Sequence, residues 1–389
     1  MIECSSGPCA GACFFRLLTV MDQRKYRLLI LSVGYGQGHH SAATAVAEYY
    51  AAEGWDARVV DVCELAQPRL FRLTQRFYDF CVRKAPWLWG VTYSLTGTAD
   101  WARLVRSPVL QKVVNCLRET LCSYNPDMVV CTYPLFAYML DSLAEGGMTV
   151  PPYAVLVTDA LEISRPWMRS RTPLVMLPDE VSSTMVLERY AFSTDAVVAT
   201  GFPVRRAFSP WQSRPYPGEH LLRIVYGAYR QTGGVLEDIN ALMGSFPQLR
   251  MTVIAGARAA LLRKRLYEYC AAGRLDIVDS TSCMHQLLAE SHLYIGKAGA
   301  ATMFECYAAN VPVLVNFTLP GQERGNLDLL LMDGAGCHVE STPHLVAVIE
   351  ALLRDDAAGW NGLCESMRRA GRAGGARRVG RAIREKFGI

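Results

Sequence analysis

The sequence predicts an α/β protein made of two doubly wound domains that face each other across a cleft. Three observations carry this: an array of short Val- and Ile-rich runs separated by amphipathic stretches, a polar break at "SRPYPGEH" (Ser213 to His220), and a second array of the same kind behind it. Apolar runs without polar alternation suit parallel strands covered on both faces, and their alternation with helical stretches makes βαβ units. A length of 389 residues suffices for two such domains, each with its own core.

The elements follow in order. "RLLILSV", "ARVVDV", "DMVVCT", "YAVLVTD", "LVMLPD" and "AVVATGF" read as the strands of the first domain, over 26–210. "LRIVYGA", "MTVIAGA", "LDIVDS", "LYIGKAG", "VPVLVNF" and "GCHVE" read as those of the second, over 211–389. Residues 1–25 form an N-terminal extension that makes a poor signal peptide: it has no basic n-region, and Arg16 interrupts its apolar part. Met21 is a candidate initiator. No stretch reaches 18 uninterrupted apolar residues, so no membrane-spanning helix is expected. The 13 cysteines are scattered and form no C-x-x-C pair, the pattern of reduced core thiols in a cytosolic protein.

In doubly wound sheets, ligands bind at the carboxyl ends of the strands, so those ends hold the candidate site. After the first strand comes "GYGQGHHSAA", with Gly34, Gly36 and Gly38 leading to His39. The loop opens a helix, so its amides and dipole favour an anion or developing negative charge. The alternative is a tight turn carrying a satisfied histidine. "GKAGAATMFECYAANVPVLVNFTLPGQERGN" is more specific. Gly296, Gly299, Ala300 and Ala301 permit close approach at a helix start, Thr302 offers a hydroxyl to a phosphate, and Glu305 lies one turn along, suited to a ribose diol. Gln322, Glu323 and Asn326 close the next strand with groups for sugar hydroxyls; the alternative is a core βαβ unit with a polar surface loop. No D-x-D, H-x-x-x-H or Cys/His cluster offers a metal clamp, so neither metal nor other cofactor is expected.

Charge is concentrated in two places. Between Pro68 and Arg118, nine basic residues face two acidic ones, a net of +7; from Glu365 to Ile389, eight face two, a net of +6, within a chain of net charge +4. The first stretch interleaves Arg76, Arg83 and Lys84 with Phe71, Phe77, Phe80, Trp87 and Trp89. Basic residues draw anionic headgroups, and aromatic rings favour the interface, so the stretch suits a protein that lies on a membrane surface. An ordinary domain helix with a solvated basic face is the alternative; no nucleic-acid module is visible, and no nucleic-acid partner is expected. The arginine-rich end reads either as a second membrane contact or as a solvated terminal helix.

From Leu28 to Val339 the chain resembles the monogalactosyldiacylglycerol synthases and processive diacylglycerol glucosyltransferases. The motifs that carry the resemblance are "GQGHHSAA", "VTD…W" at Val157 to Trp167, "TGFPV" at Thr200 to Val204, "MHQLLAESHLYIGKAG" and "PGQERGN". The resemblance implies the GT-B fold, two Rossmann-like domains, and metal-independent, inverting transfer of a hexose from a UDP-sugar to a diacylglycerol-like lipid. It places the protein in the cytoplasm, peripheral on the inner face of the cell membrane, with the anionic surface as partner. It also implies an acceptor-binding first domain and a UDP-sugar-binding second domain. His39 is then the base on the acceptor side, with Gly36 and Gly38 giving room for the substrates. Asp159 either orients His39 or the acceptor hydroxyl, or caps. On the donor side the resemblance points to Gly299 and Thr302 near the diphosphate and Met284 near the uracil, with Gly227, Gly256 and Gly321 also among the donor-binding residues. Glu305 falls to the ribose, and Gln322, Glu323 and Asn326 to the sugar. Lys297 meets a phosphate or a neighbouring carboxylate. Two departures stand out. The glycine-dense turn of the family reads "YGAYRQTGG" here, where Arg230 offers a charge-assisted bond to phosphate, and the histidine expected between Asp159 and Trp167 is absent, with Ser164 near its place. Two other functions share the architecture: a UDP-sugar 2-epimerase and a non-catalytic UDP-sugar or lipid sensor. A nicotinamide dehydrogenase lacks its G-x-G-x-x-G spacing here.

Overall fold

The computed structural model describes residues 25–34, 38–168, 173–208, 217, 221–321 and 323–389. Each apolar run forms a strand. The first sheet takes β1 (Arg27–Leu31), β2 (Asp56–Val60), β3 (Met128–Cys131), β4 (Tyr153–Leu156), β5 (Val175–Leu177) and β6 (Val197–Ala199), in spatial order β2-β1-β3-β4-β5-β6. The second takes β7 (Leu222–Gly227), β8 (Leu249–Ile254), β9 (Leu275–Val278), β10 (Leu293–Lys297), β11 (Val313–Phe317) and β12 (Gly336–His338), in order β12-β11-β10-β7-β8-β9. All pairings are parallel. The order reverses between β1 and β3 in one sheet and between β7 and β10 in the other. Those two switch points are where a crevice opens above the strand ends.

Local sequence sets the helices around them. Gly38–Ala52 buries Ala42, Ala43, Ala45 and Val46, whose small size lets it sit between its own sheet and the second domain. Proline occupies the first turn of Pro68–Lys84, Pro86–Thr98 and Pro108–Tyr124, where a missing amide hydrogen costs nothing. Asp61 caps the short helix behind β2 and also accepts from the Gly34 amide at 3.0 Å, pinning the start of the histidine loop. A side chain on Gly34 would lie 2.7 Å from the Gln75 amide nitrogen, so this glycine lets the Pro68–Lys84 helix approach. The Cys residues described are free thiols. Residues 1–24 of the extension, and most of the polar break, fall outside the described residues.

The two halves are in intimate contact. One hydrophobic cluster draws residues from both, and Phe202 and Phe304 stack across the join at 5.0 Å with ring planes 2° apart. The Ala160 amide donates to Asn326 Oδ1 at 3.1 Å. The arginine-rich terminal helix, Gly375–Phe387, crosses back to the first domain. Tyr50 donates to the Gly380 carbonyl, Arg384 to the Tyr49 hydroxyl at 2.7 Å, and Arg378 to the Thr200 carbonyl at 2.6 Å. Its cations therefore serve in part as ties between domains, a role neither sequence reading foresaw. Gly325 tests the fit of the join, because an added methyl would sit 2.0 Å from the Ala160 carbonyl oxygen. Gly325→Ala should lower stability by roughly 1–3 kcal/mol, the usual overpacking cost. A thermal melt indistinguishable from wild type would show that the halves do not close this tightly.

Candidate functional site

A cavity of about 400 Å³ lies where the two switch points meet. From the first domain it is walled by Gly38 and His39 at the start of a helix, Thr158 and Asp159 after β4, and Tyr78, Asp79 and Val82 of the Pro68–Lys84 helix. From the second come Ala228 and Tyr229 after β7, Gly256 and Arg258 after β8, and Asp279 after β9. Lys297 ends β10, Gly299 to Thr302 follow it, and Glu323 and Asn326 follow β11. Both domains are needed to make it.

His39 is almost fully buried. Its Nδ1 meets the Thr158 hydroxyl at 2.9 Å, and the rings of Tyr133 and Trp167 pack beside it at 5.2 and 5.9 Å. Burial pushes its pKa down to about 4, with the Thr132 carbonyl opposing, so the imidazole is neutral at ordinary pH. Asp159 does not orient it. That carboxylate accepts from Trp167 Nε1 at 2.9 Å, and burial raises it to about 6, with the Trp167 bond pulling down and Glu323 pushing up. Thr158, one residue earlier, takes the orienting place.

On the opposite wall, the Ala300–Ala309 helix begins at Gly299, with no side-chain cap on its first amides. The parallel register between β10 and β11 slips between Gly296 and Lys297, so that Lys297 pairs with Phe317. Lys297 forms a buried ion pair with Glu323 Oε1, and its Nζ lies 5.4 Å from the Tyr229 ring centre. Desolvation pulls the lysine pKa down, but Glu323, Tyr78 and Tyr229 outweigh it and hold the ammonium well above its usual range. Glu323 also accepts from the Leu319 amide at 3.0 Å. Beside them, Arg258 donates to the Ala228 and Arg230 carbonyls, bracing the turn after β7.

Other residues singled out by sequence take different places. Among the described residues, Gly227, Arg230, Met284, Glu305 and Gly321 are not part of the cavity wall. Arg230 turns away because fully buried Asp238 claims it at 2.5 Å, in a cluster that also takes Tyr226, Thr342 and Asn316. Glu305 faces the first domain, accepting from Ser41 at 3.1 Å; burial raises it to about 7, with Ser41 and Arg205 pulling down. Gly227 has no room for a side chain, since a methyl there would meet Tyr229 and Tyr294 below 3 Å. Gly321 takes φ +79°, a glycine conformation, against Tyr93 of the first domain. Asn326 reaches the cavity, yet its amide nitrogen donates to the Ala298 carbonyl and its oxygen holds the Ala160 amide. Gly36, Gln322 and the Arg83 side chain lie outside the described residues. Arg76, Lys84 and Trp87 are exposed, while Trp89 packs edge-on against Tyr78 at 4.7 Å. Tyr78, Arg258 and Asp279 were missed by sequence reasoning, while Thr158 and Tyr229 were marked as strand-end residues without a role. Arg258 and Asp279 had a signal, since both directly follow strand runs.

Two Rossmann-like domains with a ligand-sized cavity between their strand ends define the GT-B class of fold. Comparison with known proteins agrees. Residues 39–204 match the family model for monogalactosyldiacylglycerol (MGDG) synthase. A processive diacylglycerol beta-glucosyltransferase of Bacillus cereus (strain B4264) is 26% identical over 348 residues, spanning 85% of this chain and 86% of that one. Among solved structures, MurG of Acinetobacter baumannii superposes with a TM-score of 0.57 at 15% identity, covering 93% and 99% of the two chains. The UDP-GlcNAc 2-epimerase of Neisseria meningitidis bound to UDP-GlcNAc does so at 0.58 with 12% identity, covering 92% and 100%. The chain is thus similar to the MGDG synthases over residues 39–204 and to the processive diacylglycerol glucosyltransferases over most of its length.

Proposed function

We propose that this protein is an inverting glycosyltransferase that moves a hexose from a UDP-sugar to a diacylglycerol-like lipid at a membrane surface, without a metal. The observation that carries this reading is the cavity in which neutral, buried His39 faces Lys297 and the open amides of the Ala300–Ala309 helix. A neutral imidazole accepts the proton of the acceptor hydroxyl. The acceptor oxygen then bonds to the anomeric carbon as the bond from that carbon to the diphosphate oxygen breaks. The departing UDP takes the electron pair, and helix amides with Lys297 stabilise its charge. Glu305 accepts from Ser41 through Oε1 and stands outside the cavity wall, so a ribose role for it would rest on Oε2 and on a rearrangement that brings it to the cavity.

The surface supports a lipid acceptor. On the Pro68–Lys84 helix, Leu70, Leu73, Phe77 and Phe80 recur along one outward stripe, and all are exposed beside the exposed Arg69, Arg72 and Arg76. Trp87, Val91 and Leu95 repeat the pattern on the Pro86–Thr98 helix. An exposed apolar stripe flanked by cations is the signature of an interfacial helix. No helix among the described residues is long and apolar enough to cross a membrane.

The test is release of UDP from several UDP-sugars, with and without diacylglycerol in anionic vesicles. Release should require the lipid, persist in EDTA, and weaken at high salt as the protein leaves the vesicles. Conversion of UDP-GlcNAc to a soluble epimer without lipid would establish the epimerase reading instead, and binding without turnover the sensor reading.

A further inference from the structure

A second cavity, of about 250 Å³, lies inside the first domain among the helices Pro68–Lys84, Pro86–Thr98, Trp101–Val105 and Pro108–Tyr124. Its wall is mainly aliphatic and aromatic, with Leu70, Phe71, Trp101, Leu104, Val113 and Tyr133 the main surfaces. Three of the polar groups in the wall are already engaged. Trp101 Nε1 donates to the Thr96 carbonyl at 2.7 Å, the Thr74 hydroxyl to the Phe71 carbonyl at 2.8 Å, and Gln67 Nε2 to the Val109 carbonyl at 2.5 Å. Such a space offers little to water or a polar ligand and favours a hydrocarbon.

Position narrows the occupant. The cavity wall includes Tyr133, whose ring lies 6.1 Å from that of Trp101 and 5.2 Å from that of His39. The outer rim carries Leu70 and Leu104, 41% and 45% exposed, on the face that bears the apolar stripe and its arginines. A chain entering from the membrane side therefore ends one ring away from the proposed base. We infer that this cavity holds an acyl tail of the lipid acceptor and sets which glycerolipids bring a hydroxyl to His39. The inference rests on the glycosyltransferase reading but concerns a separate set of residues.

Two experiments test it. In the first, wild-type protein is photolysed on phosphatidylcholine vesicles holding diacylglycerol with a diazirine in one acyl tail, and the adducts are mapped. Adducts are expected on the cavity residues Phe71, Thr74, Trp101 and Val113. Adducts confined to the outer stripe, on Leu73, Phe77, Trp87 and Leu95, or none, would overturn the assignment. In the second, Leu70→Trp and Leu104→Trp, singly and together, plug the rim at positions exposed enough to tolerate bulk. KM for dioleoylglycerol should rise about tenfold or more, with less change for dioctanoylglycerol and none in UDP affinity. An unchanged KM would count against the cavity. If a variant fails to fold, by thermal melt, the wild-type adducts decide. Cavity adducts without sugar transfer would sustain the acyl site and sink the transfer reading; transfer without cavity adducts would do the reverse.

Discussion

His39→Ala should slow sugar transfer by about 10²- to 10⁴-fold, the usual worth of a positioned general base, while leaving UDP affinity unchanged. The separation follows from geometry: His39 stands on the first-domain wall, and the groups suited to a diphosphate stand on the second. Its pH behaviour is specific. A base works only when neutral, and burial has lowered this histidine from 6.5 to about 4. The acid limb it imposes should thus fall near pH 4, well below the range expected of an ordinary imidazole. A limb nearer 6 or 7 belongs to Asp159 or Glu305, held at about 6 and about 7, and should vanish in Asp159→Asn or Glu305→Gln. The same shift bears on folding. The unfolded chain takes up the histidine proton first, so stability should decline as pH falls from 6.5 toward 4. Wild-type-like turnover in His39→Ala would remove the residue from the mechanism.

How much of this was legible beforehand depended on whether the determinant was local. Most of the twelve strands were readable because both of their faces are covered, which leaves no polar alternation to blur the runs; β2, β8 and β9 turn Arg58, Arg250 and Asp276 outward and were readable from the apolar residues around them. The start of the Ala300–Ala309 helix was readable for the same reason, since small residues after a strand have a local cause. What could not be read were partnerships across the join. Asp159 looked like a companion to His39, but Trp167, eight residues on, captured it. Arg230 looked like a phosphate ligand, but Asp238 was already buried behind it. Glu305 lies one turn along the expected helix yet faces Ser41, 264 residues away in sequence. The basic aromatic stretch hid a division of labour: Phe71 and Trp101 are buried, while Phe77, Phe80 and Trp87 point outward. Aromatic residues fall on both sides of the Pro68–Lys84 helix, and only the register separates Phe71 in the cavity wall from Phe77 and Phe80 on the outer stripe.

The second large effect is expected at Lys297, where stability and ligand binding can be told apart. Lys297→Met leaves Glu323 buried without its cation, and breaking a buried pair this way costs about 3–5 kcal/mol. The variant should therefore melt well below wild type. It should also lose UDP affinity, because the cavity loses a side-chain cation beside the Ala300–Ala309 helix start. Either loss alone is ambiguous, since a destabilised domain binds poorly. The double variant Lys297→Met, Glu323→Gln resolves it. Glutamine still offers an oxygen to the Leu319 amide, now 3.0 Å from the carboxylate, and removes the stranded charge. Most of the stability should return, because the penalty lay in the unpaired carboxylate rather than in the missing ammonium. UDP affinity should not return, if the ammonium acts on the diphosphate. Calorimetric titration with UDP beside thermal melts of the wild type and both variants reads the two effects separately. Recovery of both in the double variant would reduce Lys297 to a scaffold residue and leave the helix amides to hold the diphosphate.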